Sequence, residues 1–184
     1  MNKSIVLILA FIAGAVTAIA QENMLTLSGG YAFANIEETD TDVSGWRING
    51  LYEFNPSGGK MAHGISLGYI STEATVTTGL VTTDHKITSV PVYYAPKYMF
   101  GSGSFKGFIK GALGMHFSTY ERTGTAGIIT STYSGFYGGL SPGIMLSVSD
   151  KLFLNAEFEW AYMSNSSYRD GFISSAMLGL GFKF

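Results

Sequence analysis

The chain contains no cysteine, which excludes a disulfide framework, a thiolate metal site and a cysteine nucleophile. Charge is scarce. Asp, Glu, Lys and Arg make up 13% of the 184 residues, about half the ordinary fraction of roughly 25%. The formal net charge is −2, and without a basic excess the chain has no electrostatic footprint for nucleic acid. After residue 20 no run approaches the ~20 consecutive apolar residues of a membrane helix. H-E-x-x-H, G-x-S-x-G and Walker-type glycine loops are also missing. No metal, no cofactor and no catalytic residue is therefore assigned.

Hydrophobic residues supply 46% of the chain, aromatics 14%, and there are 24 glycines. A composition so apolar buries most of itself or lies against something other than water. The first 20 residues form a separate unit. Lys3, the apolar run Ile5–Val16 and the small-x-small site Ala18-Ile19-Ala20 have the layout of a cleaved secretory signal peptide. Residues 21–184 form the mature domain.

That domain alternates with period two in eight segments: Met24–Ala34, Gly45–Phe54, Ala62–Ser71, Thr88–Phe100, Phe105–Tyr120, Gly135–Val148, Leu152–Met163 and Gly171–Phe184. Each is about as long as the 9–11 residues with which a tilted strand crosses a bilayer, or longer. One face of every segment is apolar, as with Leu25, Leu27, Tyr31 and Phe33, or Leu178, Leu180, Phe182 and Phe184. No Asp, Glu, Lys or Arg falls on it, and His63 is its one ionisable side chain. The opposite face holds Arg47, Glu53, Lys97, Lys106, Lys110, His116, Glu157, Glu159 and Lys183 among Gly, Ala and Ser. Aromatics gather at segment ends (Trp46, Tyr52 and Phe54; Tyr98 and Phe100; Trp160 and Tyr162), as interfacial girdles do. The polar face is therefore expected inside and the apolar face outside, against lipid.

The links agree. "NPSGGK", "GSGS" and "SDK" are short, and they alternate with the longer "NIEETDTDVS", "TEATVTTGLVTTDHKI", "ERTGTAGIITSTYS" and "SNSSYRD". Outer-membrane barrels put short turns in the periplasm and long loops outside. On strand count, loop alternation and the aromatic closing strand, the chain resembles the small eight-stranded outer-membrane barrels of the OmpA/OmpX type. The resemblance implies an eight-stranded antiparallel up-and-down transmembrane β-barrel in the Gram-negative outer membrane, surrounded by lipid and lipopolysaccharide. It also implies that the barrel-assembly machinery reads the last strand through Leu178, Leu180, Phe182 and Phe184.

An eight-stranded barrel is only wide enough for side chains to fill, and a buried unpaired charge is costly. Arg47, Glu53, Lys97, Lys110, Glu157 and Glu159 are accordingly expected to form a lumen charge network, with the carboxylates of Glu157, Glu159 and Glu53 pairing with Lys97, Lys110 and Arg47. Pro91, Pro96 and Pro142 each remove a ladder donor, and a bulge, a register break or a strand boundary is expected near them. His116 and Ser118 share the spacing of the His-Ser pair of lipid A deacylases, with Glu121 or Glu159 as a candidate third member. The Thr/Ser-rich links over residues 72–85 and 123–134 carry Val76, Leu80, Val81, Ile128 and Ile129. They can rise above the membrane as β-ribbons with edges open to a partner. The expected role is non-enzymatic, structural or surface-interacting. A narrow channel for small or hydrophobic solutes is the alternative, with a lipid A-modifying enzyme behind it.

Overall fold

Alternating β-branched and aromatic residues favour extended backbone, and a sheet in hydrocarbon must satisfy every ladder group from within itself. The structure, a computed structural model, describes residues 22–37, 40–55, 59–78, 80–125 and 127–184. The leader expected over residues 1–20 lies outside them. Nine strands are described: β1 (Glu22–Ile36), β2 (Thr41–Asn55), β3 (Met61–Thr78), β4 (Val81–Tyr94), β5 (Lys97–Ser102), β6 (Phe105–Gly124), β7 (Gly127–Ser147), β8 (Leu152–Met163) and β9 (Tyr168–Lys183). Each pairs antiparallel with its neighbours, and β9 returns to β1 from Met24↔Lys183 to Ala34↔Ile173, closing the ring. Phe184 extends that seam through mutual backbone bonds with Asn23 of 3.0 and 3.2 Å.

β4 and β5 are one stave of the barrel. The expected strand Thr88–Phe100 is broken at Ala95–Pro96, yet Ile65↔Tyr94 and Met61↔Tyr98 lie in the same register on β3, as Tyr94↔Leu113 and Tyr98↔Ile109 do on β6. Pro91 and Pro142 leave gaps in the β3–β4 and β7–β8 ladders without moving the register on either side. The prolines thus delete single hydrogen bonds and shift nothing. The one register shift among the described residues falls elsewhere, between Ala34 and Ile36 on the β1–β9 seam. The two Thr/Ser-rich links that could rise as β-ribbons are largely strand: β3 continues to Thr78 and β4 starts at Val81, while β6 continues to Gly124 and β7 starts at Gly127.

The polarity is inverted relative to a water-soluble sheet. Leu27 is 64% and Leu178 71% exposed on the outside, while Arg47 is 1%, Lys110 0% and Glu159 0% exposed within. Outward aromatics cluster at two levels. Trp46 stacks on Tyr69 at 5.0 Å and Phe158 meets Trp160 at 4.6 Å towards the long-hairpin end, and Tyr52 faces Phe184 at 6.5 Å near the short-turn end. His63 sits in the second level, bonded to the Tyr94 hydroxyl.

Towards the short turns the lumen holds a buried cluster of Met24, Ala62, Met99, Phe108, Met145 and Phe153. The two rings lie on glycines. A Cβ on Gly143 would stand 2.2 Å from Phe108 Cζ and 2.7 Å from the Ala156 carbonyl, and one on Gly181 would stand 2.0 Å from Phe153 Cζ. Since backbone blocks retreat at Gly143, G143V is expected to abolish the heat-modifiable folded band on unboiled gels. An unchanged band would show that Phe108 does not occupy this position.

Candidate functional site

In a lumen this narrow, inward side chains on opposite walls touch. Lys97, on β5, places Nζ 2.6 and 2.7 Å from the two oxygens of Glu53 on β2, with the Oε2 contact aligned as a hydrogen bond. Lys110 on β6 donates to Glu157 on β8 at 2.6 Å. Arg47 on β2 donates to Glu159 on β8 at 2.6 Å. All six groups are buried. Cations and carboxylates are equal in number, so the layer carries no net charge. Lys97 thus meets Glu53, and the two carboxylates of β8 take Lys110 and Arg47.

Arg47 does more than neutralise. Its guanidinium also donates to Ser175 on β9 (3.3 Å), Tyr137 on β7 (3.1 Å) and Tyr93 on β4 (3.4 Å). One side chain rooted in β2 therefore joins four other strands across the lumen, a use suited to the planar five-donor guanidinium. Glu159 accepts from Tyr137 and from Ser141 (3.1 Å) as well. Tyr93 and Tyr137 stack with centroids 5.1 Å apart, and both hydroxyls accept from the same guanidinium nitrogen. These two tyrosines, Ser141 and Ser175 belong to the site although sequence reasoning did not place them in it; their inward phase was the available signal.

Above this layer lies a neutral polar one. His116 shares a hydrogen with Ser118 Oγ through Nδ1 (2.8 Å) and points Nε2 at the Ser164 carbonyl oxygen (2.7 Å). Ser118 also bonds Ser89 at 2.8 Å. No carboxylate is bonded to His116 among the described residues. Glu159 is committed to Arg47, and Glu121 lies exposed on the long-hairpin ribbon. The His-Ser pair faces the lumen, away from any lipid substrate.

Beyond the girdle, β3, β4, β6 and β7 continue as a four-stranded sheet, with pairs Glu73↔Lys86, Lys86↔Glu121 and Glu121↔Thr130 in succession. β7 meets β8 only from Tyr137 onward, so Gly127–Ser134 has β6 on one side and no strand on the other among the described residues. Odd residues of β7 face β6 (Ser147 N donates to Ser104 O, 2.7 Å), and even ones face the β8 side (Phe136 O accepts from Ser164 N, 3.0 Å). By this alternation, Ile128, Thr130 and Thr132 turn both N–H and C=O into the open. The Ser134 carbonyl is covered by Asn165 Nδ2 at 3.2 Å.

A closed antiparallel ring, apolar outside and filled with paired charge inside, defines a membrane-spanning β-barrel. The chain belongs to the outer membrane protein beta-barrel domain family, whose model matches residues 5–184. It is thus a protein of the Gram-negative outer membrane. Among solved structures it is similar to Ail of Yersinia pestis, at 17% identity and TM-score 0.56, covering 89% of this chain and 99% of that one. It is similar also to Neisserial surface protein A, at 13% identity and TM-score 0.62, covering 88% and 97%. A third likeness, to OprG of Pseudomonas aeruginosa, has 13% identity and TM-score 0.51 and covers 89% and 97%. At these identities the likeness is one of fold. No curated protein matches the sequence.

Removing one partner of a buried ion pair costs about 3–5 kcal/mol, whereas replacing both by apolar residues of similar volume costs little or stabilises. E159L is therefore expected to lower the unfolding free energy in detergent micelles by about 3–5 kcal/mol. R47M/E159L is expected to recover much of that loss. Equal stability of E159L and wild type in urea titrations would show that the pair is not buried.

Proposed function

We propose that the protein is a non-enzymatic surface barrel: a sealed membrane stave-ring that holds a four-stranded sheet out from the cell. The long-hairpin end is outside and the short turns are periplasmic, as in outer-membrane barrels generally. Arg47 carries this reading. Its bonds to β4, β7, β8 and β9 fill the cross-section at mid-lumen, which leaves the projecting sheet as the part able to meet a partner. The same observation speaks against a channel, and the lack of a carboxylate on His116 speaks against a hydrolase.

Export follows from residues 1–20 as a cleaved leader. Assembly follows from recognition of Leu178, Leu180, Phe182 and Phe184 by the barrel-assembly machinery. Ail has been solved with the heparin analogue sucrose octasulfate, a polyanion. The outer end of the present chain has the opposite bias, with Glu37, Asp42, Glu73, Asp84, Glu121 and Asp170 against Lys86 and Arg122 once Asp40 is paired to Arg169. A sulfated polysaccharide therefore fits this surface poorly.

Two measurements test the proposal. In planar bilayers the reconstituted barrel is expected to show no unitary conductance steps, and discrete steps would overturn the sealed lumen. Cells displaying the full chain are expected to bind protein-coated surfaces. Replacing residues 121–130 by an Asn-Gly turn should abolish that binding, and retained binding would overturn the surface role. Separately, F184A is expected to reduce folded barrel in the outer membrane of cells while leaving refolding from urea into detergent unchanged. Equal losses in both would assign Phe184 to stability alone.

A further inference from the structure

We propose that the outer mouth of the barrel holds a binding site for a small primary alkylammonium ion, in the cleft that opens where β7 parts from β8. This goes beyond the surface role above and does not rest on it.

The cleft follows from the strand pairing. β7 meets β8 only from Tyr137↔Met163 onward. The β8–β9 link that follows Met163 reaches across the gap, with Asn165 Nδ2 donating to the Ser134 carbonyl at 3.2 Å. On its other side the link meets the end of β1, where Glu37 N donates to Ser167 O at 3.2 Å. A pocket of about 290 Å³ remains there, lined by Ile36, Glu37, Tyr120, Tyr133, Ser166 and Ser167. Its size is near the lower end of the range for small-molecule sites. The floor is apolar: Ile36 and Tyr120 belong to the larger buried cluster, and Tyr133 packs against it.

Charge and rings select the ligand. Tyr120 is opposite Ser131 and Tyr133 opposite Ser118, so the two tyrosines are diagonal neighbours on the inward face of β6 and β7. The face of an aromatic ring attracts a cation held within about 6 Å of its centroid. Glu37, exposed at the rim, adds a carboxylate that forms no ion pair among the described residues. No Lys or Arg lines the pocket. Arg122, two residues beyond Tyr120 in the same inward phase, is engaged in an interaction of its own.

Hydrogen-bonding capacity points the same way. Ser166 Oγ spends its hydrogen on the Met163 carbonyl at 2.9 Å and keeps only lone pairs. The Glu37 carboxylate only accepts. The hydroxyls of Tyr133 and Ser167 can accept as well, and Ser167 Oγ is buried without a partner. Such a pocket suits a group that is positively charged and donates only. A primary ammonium has three N–H donors and no acceptor, and its bond to a carboxylate is charge-assisted. An alcohol lacks the charge, and a quaternary ammonium lacks the donors.

The test uses the full chain refolded in phosphatidylcholine nanodiscs, whose lipids carry no net charge, and saturation-transfer NMR titrations of three probes. n-Butylammonium is expected to bind, more weakly as salt rises. 1-Butanol has the same chain without the charge, and tetramethylammonium has the same charge without an N–H. Each is expected to bind at least about tenfold more weakly. E37Q should weaken n-butylammonium about tenfold, and its exposed position should leave the heat-modifiable band intact. Y133L, which keeps apolar bulk and removes the ring, should weaken it about two- to fivefold. E121Q, which changes an exposed carboxylate outside the pocket, should leave the affinity unchanged.

Equal binding of 1-butanol would overturn the need for a cation, and equal binding of tetramethylammonium would overturn the primary amine. Equal losses in E37Q and E121Q would assign the amine to the diffuse charge of the outer end and overturn the site. N-acetylglucosamine that displaces n-butylammonium and is itself weakened by Y133L would assign the tyrosines to a sugar instead.

Discussion

Hydrocarbon offers no hydrogen bonds, so a sheet within it cannot leave an edge. That requirement organises the whole chain. β9 must come back to β1, the closure fixes a narrow lumen, and the narrow lumen forces inward charges to find one another. Where the strands pass the aromatic girdle the requirement lapses, because water can serve an open N–H. It is there that β7 loses β8 and shows a free edge. The same physics therefore closes the sheet below and leaves it an edge above.

The charges inside are arranged to hold walls together. Each of the three ion pairs joins strands that are not neighbours in the ring: β2 with β5, β6 with β8, and β2 with β8. Ladder bonds run round the circumference, and these contacts run across it. Arg47 adds reach to Tyr93, Tyr137 and Ser175. Since the burial of charge seldom adds net stability by itself, the clearest effect of this layer is to exclude water and to penalise other registers of closure. An Arg47 shifted by one residue would face lipid.

Much of this was legible in the sequence. Period-two alternation with a charge-free face marks the staves, and the parity of link lengths marks the two ends. The partner of each lumen charge was not legible, since it depends on the stagger at which the ring closes; Lys97 reaches Glu53 over β3, the strand between β5 and β2, at a stagger no spacing encodes. Period-two phase places Tyr93 and Tyr137 on the inward face, but nothing in that phase shows that both accept from the Arg47 guanidinium. The upper segments were legible as candidate ribbons but not in extent, because Thr and Ser occupy both faces of residues 72–78 and 128–134, so the period remains but carries no polarity.

The three strand prolines have a mechanical consequence. Pro91 turns its missing donor towards β3, Pro96 towards β6 and Pro142 towards β8, as the neighbouring bonds Ala95 N to Gly64 O, Gly111 N to Pro96 O and Ser164 N to Phe136 O indicate. The carbonyls left without a ladder donor are those of Gly68, Gly111 and Phe158. They belong to three different seams. Pro91 and Pro96 flank the single stave β4–β5 on its two sides, and Pro142 lies on the seam of another stave pair. No seam carries two of the flaws, and the cylinder tolerates each as a rivet missing from a separate row.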